Sequence, residues 1–210
     1  MGRIFEKRKH KMFARYDRMA KAFTKIGREI AIAVREGGGD IKYNARLRIA
    51  VQNAKGVNMP KDRIDAAIKR ALSKDEQGFQ QSLYEGYAPH GIAVMVECAT
   101  DNPTRTVANV RHHLTKHNGS LAANGSVAFM FERKGVFKLP AGAITHAEEF
   151  ELEFIDYGLE DKGIGATSAE LHYLPTITKE LSEEHAKEVL ELIEDLEADD
   201  DVQSVYHTLR

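Results

Sequence analysis

The stretch GIAVMVECATDNPTRTVANVRHHLTKHNG, residues 91–119, changes its period halfway along. Ile92, Val94, Val96 and Cys98 alternate with Ala93, Met95 and Glu97, the two-residue period of a β-strand over 91–99. Beyond Pro103 the inner positions become Val107, Val110, Leu114 and His117, spaced for a helix face. Asp101 or Asn102 is placed to cap that helix, Pro103 suits its first turn, and Gly119 stops it. A strand running straight into a helix sets the class of this part of the chain as mixed α and β.

Downstream the pattern repeats. Val127, Phe129 and Phe131 alternate as a strand, and Lys134-Gly135 reads as a turn into a short strand, Val136–Leu139. Residues 146–157 read as an acidic helix. Ala169, Leu171 and Tyr173 make a further strand-like run. Ser182 is a helix cap for 183–197, whose apolar face is Ala186, Val189, Leu190, Ile193 and Leu196, with Leu181 able to staple onto Ala186. Val202–Leu209 closes the chain as a strand. Two strand–helix–strand halves, 91–133 and 168–209, predict a ferredoxin-like α+β sandwich with a subdomain inserted between them.

Upstream the elements are helical. Met19, Phe23, Ile26, Ile30, Ala33 and Val34 stripe a helix over 19–36, ended by Gly37-Gly38-Gly39. Leu47, Ala50, Val51 and Ala54 face inward from a second helix at 44–55. Pro60 starts a third, with Ile64, Ala67, Ile68, Ala71 and Leu72 on one face. These three make a small bundle, joined to the remainder by a polar linker at 73–83. Residues 3–18 carry Phe5, Phe13 and Tyr16 among many cations but no clean stripe, so they read as a partly ordered arm suited to a nucleic-acid groove, with a disordered tail or a strip packed on the helices as the alternative.

Charge divides along the same line. Residues 1–74 hold 20 Lys and Arg against 7 Asp and Glu, a net of +13; residues 75–210 hold 10 against 25, a net of −15. The chain's overall −2 hides two surfaces with different partners. The basic third is an electrostatic footprint for phosphate backbones or for an acidic protein surface. Outward positions on its helices include Lys21, Lys25, Arg28, Arg46, Arg48, Lys61, Arg63, Lys69 and Arg70, the expected nucleic-acid-binding residues.

Other chemistry is sparse. Gly37–Gly39 follows a helix and lacks the lysine of a phosphate loop. His113 and His117 share a helix face but have no third metal ligand, and His117 falls in the apolar stripe; core or capping histidines are expected. The acidic run Glu191, Glu194, Asp195, Glu197, Asp199, Asp200 and Asp201 lacks the spacing of a calcium loop and reads as a solvated face. The single cysteine, Cys98, cannot form an internal disulfide, which suits a reducing compartment, and reads as a buried strand residue. The first residues lack the apolar segment of a secretory signal, and no apolar run approaches the ~20 residues of a membrane span. The expectation is a cytoplasmic protein without enzymatic activity, cofactor, metal or membrane partner. A metal-dependent nuclease and a protein–protein adaptor are the alternatives.

Several stretches together resemble the YebC family, which includes the mitochondrial translational activator of cytochrome c oxidase. They are Phe23-Thr24-Lys25-Ile26 leading into Glu36-Gly37-Gly38; Asn44-Ala45-Arg46-Leu47-Arg48; Asn58-Met59-Pro60-Lys61-Asp62 through Ala67-Ile68-Lys69-Arg70; Tyr84-Glu85-Gly86-Tyr87 through Thr100-Asp101-Asn102, Arg105-Thr106-Val107, Val110-Arg111-His112, Gly125-Ser126-Val127-Ala128 and Phe131; and Asp200-Asp201-Val202-Gln203-Ser204-Val205-Tyr206. The resemblance implies an N-terminal three-helix domain followed by two α/β lobes, the third domain inserted in the second. On this chain that gives 1–76, then 77–133 with 168–210, and 134–167 as the insert. It also implies a regulator of gene expression that binds DNA as a transcriptional regulator or acts on ribosomal RNA as a translation factor, with the ribosome as a partner. Two features depart from it. The start, GRIFEKRKHKMFARYDR, replaces the family's Gly-His-Ser-Lys-Trp segment, and residues 158–168 join abruptly where the family has two strands and a helix between Asp161 and Lys162. Either the third domain is reduced or residues are missing there.

Overall fold

The computed structural model describes residues 3–73, 78–140, 142 and 166–210, with side chains at position 13 and from 15 onward. The acidic helix expected at 146–157 and the junction at Asp161–Lys162 lie outside the described residues.

Helix α1 spans Arg3–Gly37, 35 residues in one piece, so the expected arm at 3–18 is helix. At 1.5 Å rise per residue it is about 50 Å long. Its inner end is buried through Ile26, Ile30, Ala33 and Val34; further out, Phe13 and Tyr16 are each 54% exposed. Gly38 takes the left-handed conformation, φ 81°, and its N–H closes the helix on Val34 O at 2.7 Å. Helices α2 (Ala45–Gly56) and α3 (Lys61–Leu72) pack on that end around Leu47, Ala50, Val51, Ala54, Met59 and Ile64. Leu72, expected on the inner face of α3, is 58% exposed. Asn44 fastens the corner: its Oδ1 accepts the Leu47 N–H at 3.0 Å, and its Nδ2 donates to Ala33 O and Gly38 O at 2.7 and 2.8 Å. One buried amide thus satisfies the end of α1 and the start of α2 together.

The body is a four-stranded antiparallel sheet in the order β3-β1-β2-β6. Its strands are β1 (Gln80–Ala88), β2 (Ile92–Thr100), β3 (Ser120–Leu121) and β6 (Val202–His207). Helices α4 (Pro103–Lys116) and α5 (Glu183–Ala198) cover one face, burying Ile92, Val94, Val96, Val110, Leu114, Val189, Leu192 and Leu196. Asn102 and Ser182 cap these helices by accepting the N–H of Arg105 and of His185. The opposite face of β2 is buried as well, through Ala93 and Met95 against Val127 and Phe131. Burial on both faces explains why β2 has apolar side chains at nearly every position rather than at every second one.

Four strand expectations change. Val127 and Phe129 do not lie in a strand: Ala128–Met130 is a 3-10 turn, and the strand begins at Phe131. The segment read as a polar linker contributes β1 from Gln80 on, paired along its whole length with β2. Lys134-Gly135 is not a turn: β4 (Phe131–Lys138) runs through it. The run at 168–175, β5 (Ser168–Pro175), does not enter the four-stranded sheet but pairs with β4 as a separate two-stranded sheet. The 168–209 half therefore gives the sandwich its helix and last strand, and β1 supplies the remaining strand. Among the described residues no helix is long and apolar enough to cross a membrane.

Candidate nucleic-acid interface

The nine expected binding residues fall into two groups once the helical head is placed against the body. Lys25 and Arg28 lie on the side of α1 that faces the sheet. Arg28 Nη1 donates to Asp201 Oδ1 at 2.7 Å and to Ala99 O at 2.8 Å, and its guanidinium lies 5.0 Å from the Phe79 ring centre. Its side chain is 13% exposed and that of Asp201 is 4% exposed. Lys25 Nζ donates to Gln203 O at 3.1 Å, and burial pushes its pKa down. These two cations, expected to be outward, are the joint between head and body.

Asp201 is the hub of that joint. Arg105 Nη2, Thr106 Oγ1 and Thr100 Oγ1 also donate to it. Burial works to raise its pKa, but donation from Arg105, Thr106 and Arg28 outweighs this and holds it below the usual carboxylate range. The acidic run was expected to be solvated; Asp201 is a correction, because the chain turns inward after Asp200 to begin β6. Asp195 and Asp199 are occupied too, by Lys116 and His117 and by Asn109. His117, a C-cap residue, hydrogen-bonds Asp195 through Nε2 at 2.8 Å, and His113 Nε2 lies 3.7 Å from Asp199 Oδ2. No group of three or more His, Cys, Asp or Glu is arranged to hold a metal among the described residues. Cys98 is fully buried, and burial pushes its thiol up to about 12, so it carries no thiolate chemistry at neutral pH.

The other seven cations stand off the joint. Lys21 makes an i,i+4 pair with Asp17 at 3.7 Å, and Arg46 pairs with Glu36. Arg63 lies 5.7 Å from the Phe23 ring centre, on the head's own surface. Arg48, Lys61, Lys69 and Arg70 are exposed on α2 and α3. Sequence periodicity separates these positions from the core but cannot separate a cation facing water from one facing another domain, so it grouped all nine.

A second joint was invisible to it. Asn53 on α2, buried, donates through Nδ2 to Ala169 O and accepts the Ala169 N–H at Oδ1, both at 3.0 Å. The side-chain amide mimics one peptide of a strand paired to β5. Gln52 donates to Ala166 O beside it. A Cβ on Gly56 would sit 2.4 Å from Thr167 O, so only glycine lets α2 come this close.

Between the two joints lies a cleft of about 470 Å³. The head contributes Glu29 and Arg46, the main sheet Glu97 and Tyr206, and the small sheet Glu170 and His172. Burial, with the like charges of Glu170 and Glu97, raises the pKa of Glu29 to about 7. Burial raises Glu97 also, against the opposing donation of Tyr206 Oη at 3.2 Å.

The family model described as the TACO1/YebC protein N-terminal domain matches residues 3–74. The model described as the TACO1/YebC second and third domain matches residues 79–164 and 158–209. A probable transcriptional regulatory protein of Cytophaga hutchinsonii is 48% identical over 235 positions, covering 100% of this chain and 98% of the relative. One of Myxococcus xanthus is 48% identical over 241 positions, covering 100% of both. These alignments exceed the 210 residues of the chain, so the relatives carry positions that this chain does not match. A conserved hypothetical protein of Aquifex aeolicus, known from its crystal structure, superposes with a TM-score of 0.81 at 38% identity, covering 91% of this chain and 90% of that one.

Proposed function

The chain belongs to the TACO1/YebC family, and from that premise we propose that it is a nucleic-acid-binding regulator of gene expression. Its helical head grips the phosphate backbone. The observation that carries this reading is a +13 basic third in which Lys25 and Arg28 serve the joint while Arg48, Lys61, Arg63 and Lys69 are exposed on the head. Arg48, Lys61, Arg63, Lys69 and Arg70 on α2 and α3 form the gripping surface, with Lys21 and Arg46 at its margin. Backbone contacts position a protein without reading sequence. The acidic body repels the same polymer and keeps it on the head.

The test is binding to duplex DNA and to ribosomal RNA fragments across a salt series. Each phosphate contact releases roughly one counterion, so log K should fall steeply and linearly with log salt on both polymers. Affinity that ignores salt sinks the reading. Regulation through DNA and regulation through the ribosome both need this surface. Co-sedimentation of the protein with nucleoid or with ribosomes from lysate tells them apart.

A further inference from the structure

The corner between α1 and α2 holds an aromatic ring out in solvent. Tyr43 is 88% exposed, the most exposed of the large hydrophobic side chains among the described residues, and Ile41 beside it is 39% exposed. The backbone beneath is tightly held. Asp40 Oδ1 accepts the Lys42 N–H at 2.8 Å, and Asp40 O accepts the N–H groups of Tyr43 and Asn44 at 3.2 and 3.0 Å. Asn44 is pinned at once to α1 and α2, as described above. A ring on a rigid corner loses little backbone entropy when it acquires a partner.

The surroundings are cationic. Lys42 precedes the ring, and Arg48 folds back so that its Nη1 donates to Lys42 O at 3.4 Å. The end of α3 meets the same corner: a Cβ on Gly39 would lie 2.9 Å from Leu72 Cδ1. That contact brings the end of α3, whose last turn carries Lys69 and Arg70, against Gly39 at the start of the same loop. Of the acidic groups here, Glu36 is matched by Arg46 and Asp40 is turned onto its own loop.

We propose that Tyr43 is a stacking platform for an unpaired base of a single-stranded nucleic acid whose phosphates lie on Lys42, Arg48, Lys69 and Arg70. This rests on the nucleic-acid reading and sharpens it. An exposed ring with cations on its own corner and on the neighbouring helix end offers little to a fully stacked duplex, but a single strand presents a π-face at every nucleotide. Two sources, RNA and DNA, share that chemistry.

The chain has no tryptophan, so Tyr43→Trp installs a lone reporter on the corner. Titrate this variant with oligo(rU), oligo(dT) and a random-sequence duplex, and measure affinities of wild type, Tyr43→Ala and Tyr43→Phe for each. Stacking predicts quenched indole fluorescence with the single strands and not with the duplex. Tyr43→Ala should bind single strands about five- to a hundredfold more weakly, Tyr43→Phe close to wild type. Because the ring bears no charge, the salt slope of Tyr43→Ala should match wild type. Thermal melting, unchanged for so exposed a side chain, shows that each variant is folded. Unquenched fluorescence, or equal binding by Tyr43→Ala, overturns the platform while wild-type binding leaves the nucleic-acid reading intact. No binding of any oligonucleotide by wild type at low salt overturns both. Quenching by only one of the two single strands identifies the source.

Discussion

Arg28 on α1 and Lys69 on α3 belong to the same basic third and sit at similarly polar helix positions, yet their surroundings assign them opposite work. Arg28 is sunk against Asp201 and the Ala99 carbonyl; Lys69 stands in water. A cation drawn into a joint is part of the fold, and its loss takes from a buried carboxylate one of its two counter-charges, Arg28 beside Arg105. A cation on the open surface adds almost nothing to stability and is available to a ligand. Net charge locates the basic region but says nothing about this division, so substitutions are the way to separate its two halves.

The largest effect should come from Asp201→Ala. It strips acceptors from Arg28, Arg105, Thr106 and Thr100, and loss of one partner of a buried pair costs about 3–5 kcal/mol. In denaturant unfolding, Arg28→Ala should also be destabilising, and the double variant should lose less than the two singles together. Strict additivity would mean that Arg28 and Asp201 are not coupled. Asn53→Ala should come next, at about 1–3 kcal/mol, because the Ala169 N–H and C=O lose their partner where the site is buried. Hydrogen exchange at Ala169 should rise with it; protection unchanged would show that the amide is not what holds α2 to β5.

A smaller effect follows from Glu29. Its pKa in the fold is about 7, above the 4.5 of an ordinary glutamate, so the folded state binds more protons between those pH values. Stability from this group is therefore greatest at low pH and is lost as pH rises through 7. Glu29→Gln should flatten that part of the stability profile and stabilise the protein at pH 8. A profile unchanged by the substitution would return Glu29 to ordinary solvation. Last, Lys61→Glu with Lys69→Glu should leave melting unchanged. Binding to RNA and DNA should weaken, with the salt slope smaller by about one per lost phosphate contact. If this pair unfolds the head, the division between joint and surface fails.

What could be read without the structure was local. Asn102, Ser182 and Pro103 act within one turn of where they stand, and each does what its position suggests. The alternation of β2 and the stripe of α2 survive for the same reason. Residues 3–18 misled because their sequence carries no clean apolar stripe, although the backbone is helical throughout. Propensity carried the signal instead, since seven of these sixteen residues are Lys or Arg and none is Gly or Pro. The start of β1 was hidden because Gln80, Gln81 and Ser82 are polar, although their backbones pair with Thr100, Ala99 and Cys98. Gly135 imitated a turn while sitting inside β4 opposite Leu171. At the site, Asp201, Asn53 and Glu29 act on residues far away in sequence, and no spacing rule reaches them.

The pairing of Asn53 with Ala169 has a consequence for the company this protein keeps with its own copies. A sheet two strands wide leaves a row of backbone donors and acceptors along its outer edge, and such a row invites another chain to add a strand. On the outer edge of β5, Asn53 occupies both polar groups of Ala169, and Tyr206 Oη, whose single hydrogen is shared between Glu97 and this edge, lies 3.2 Å from the carbonyl of Leu171, two residues on. Two side chains from different parts of the molecule thus plug alternate positions of one edge. Loosening α2 would unplug the first of them, so a loss of grip by the head on the body becomes, at high concentration, a risk of aggregation.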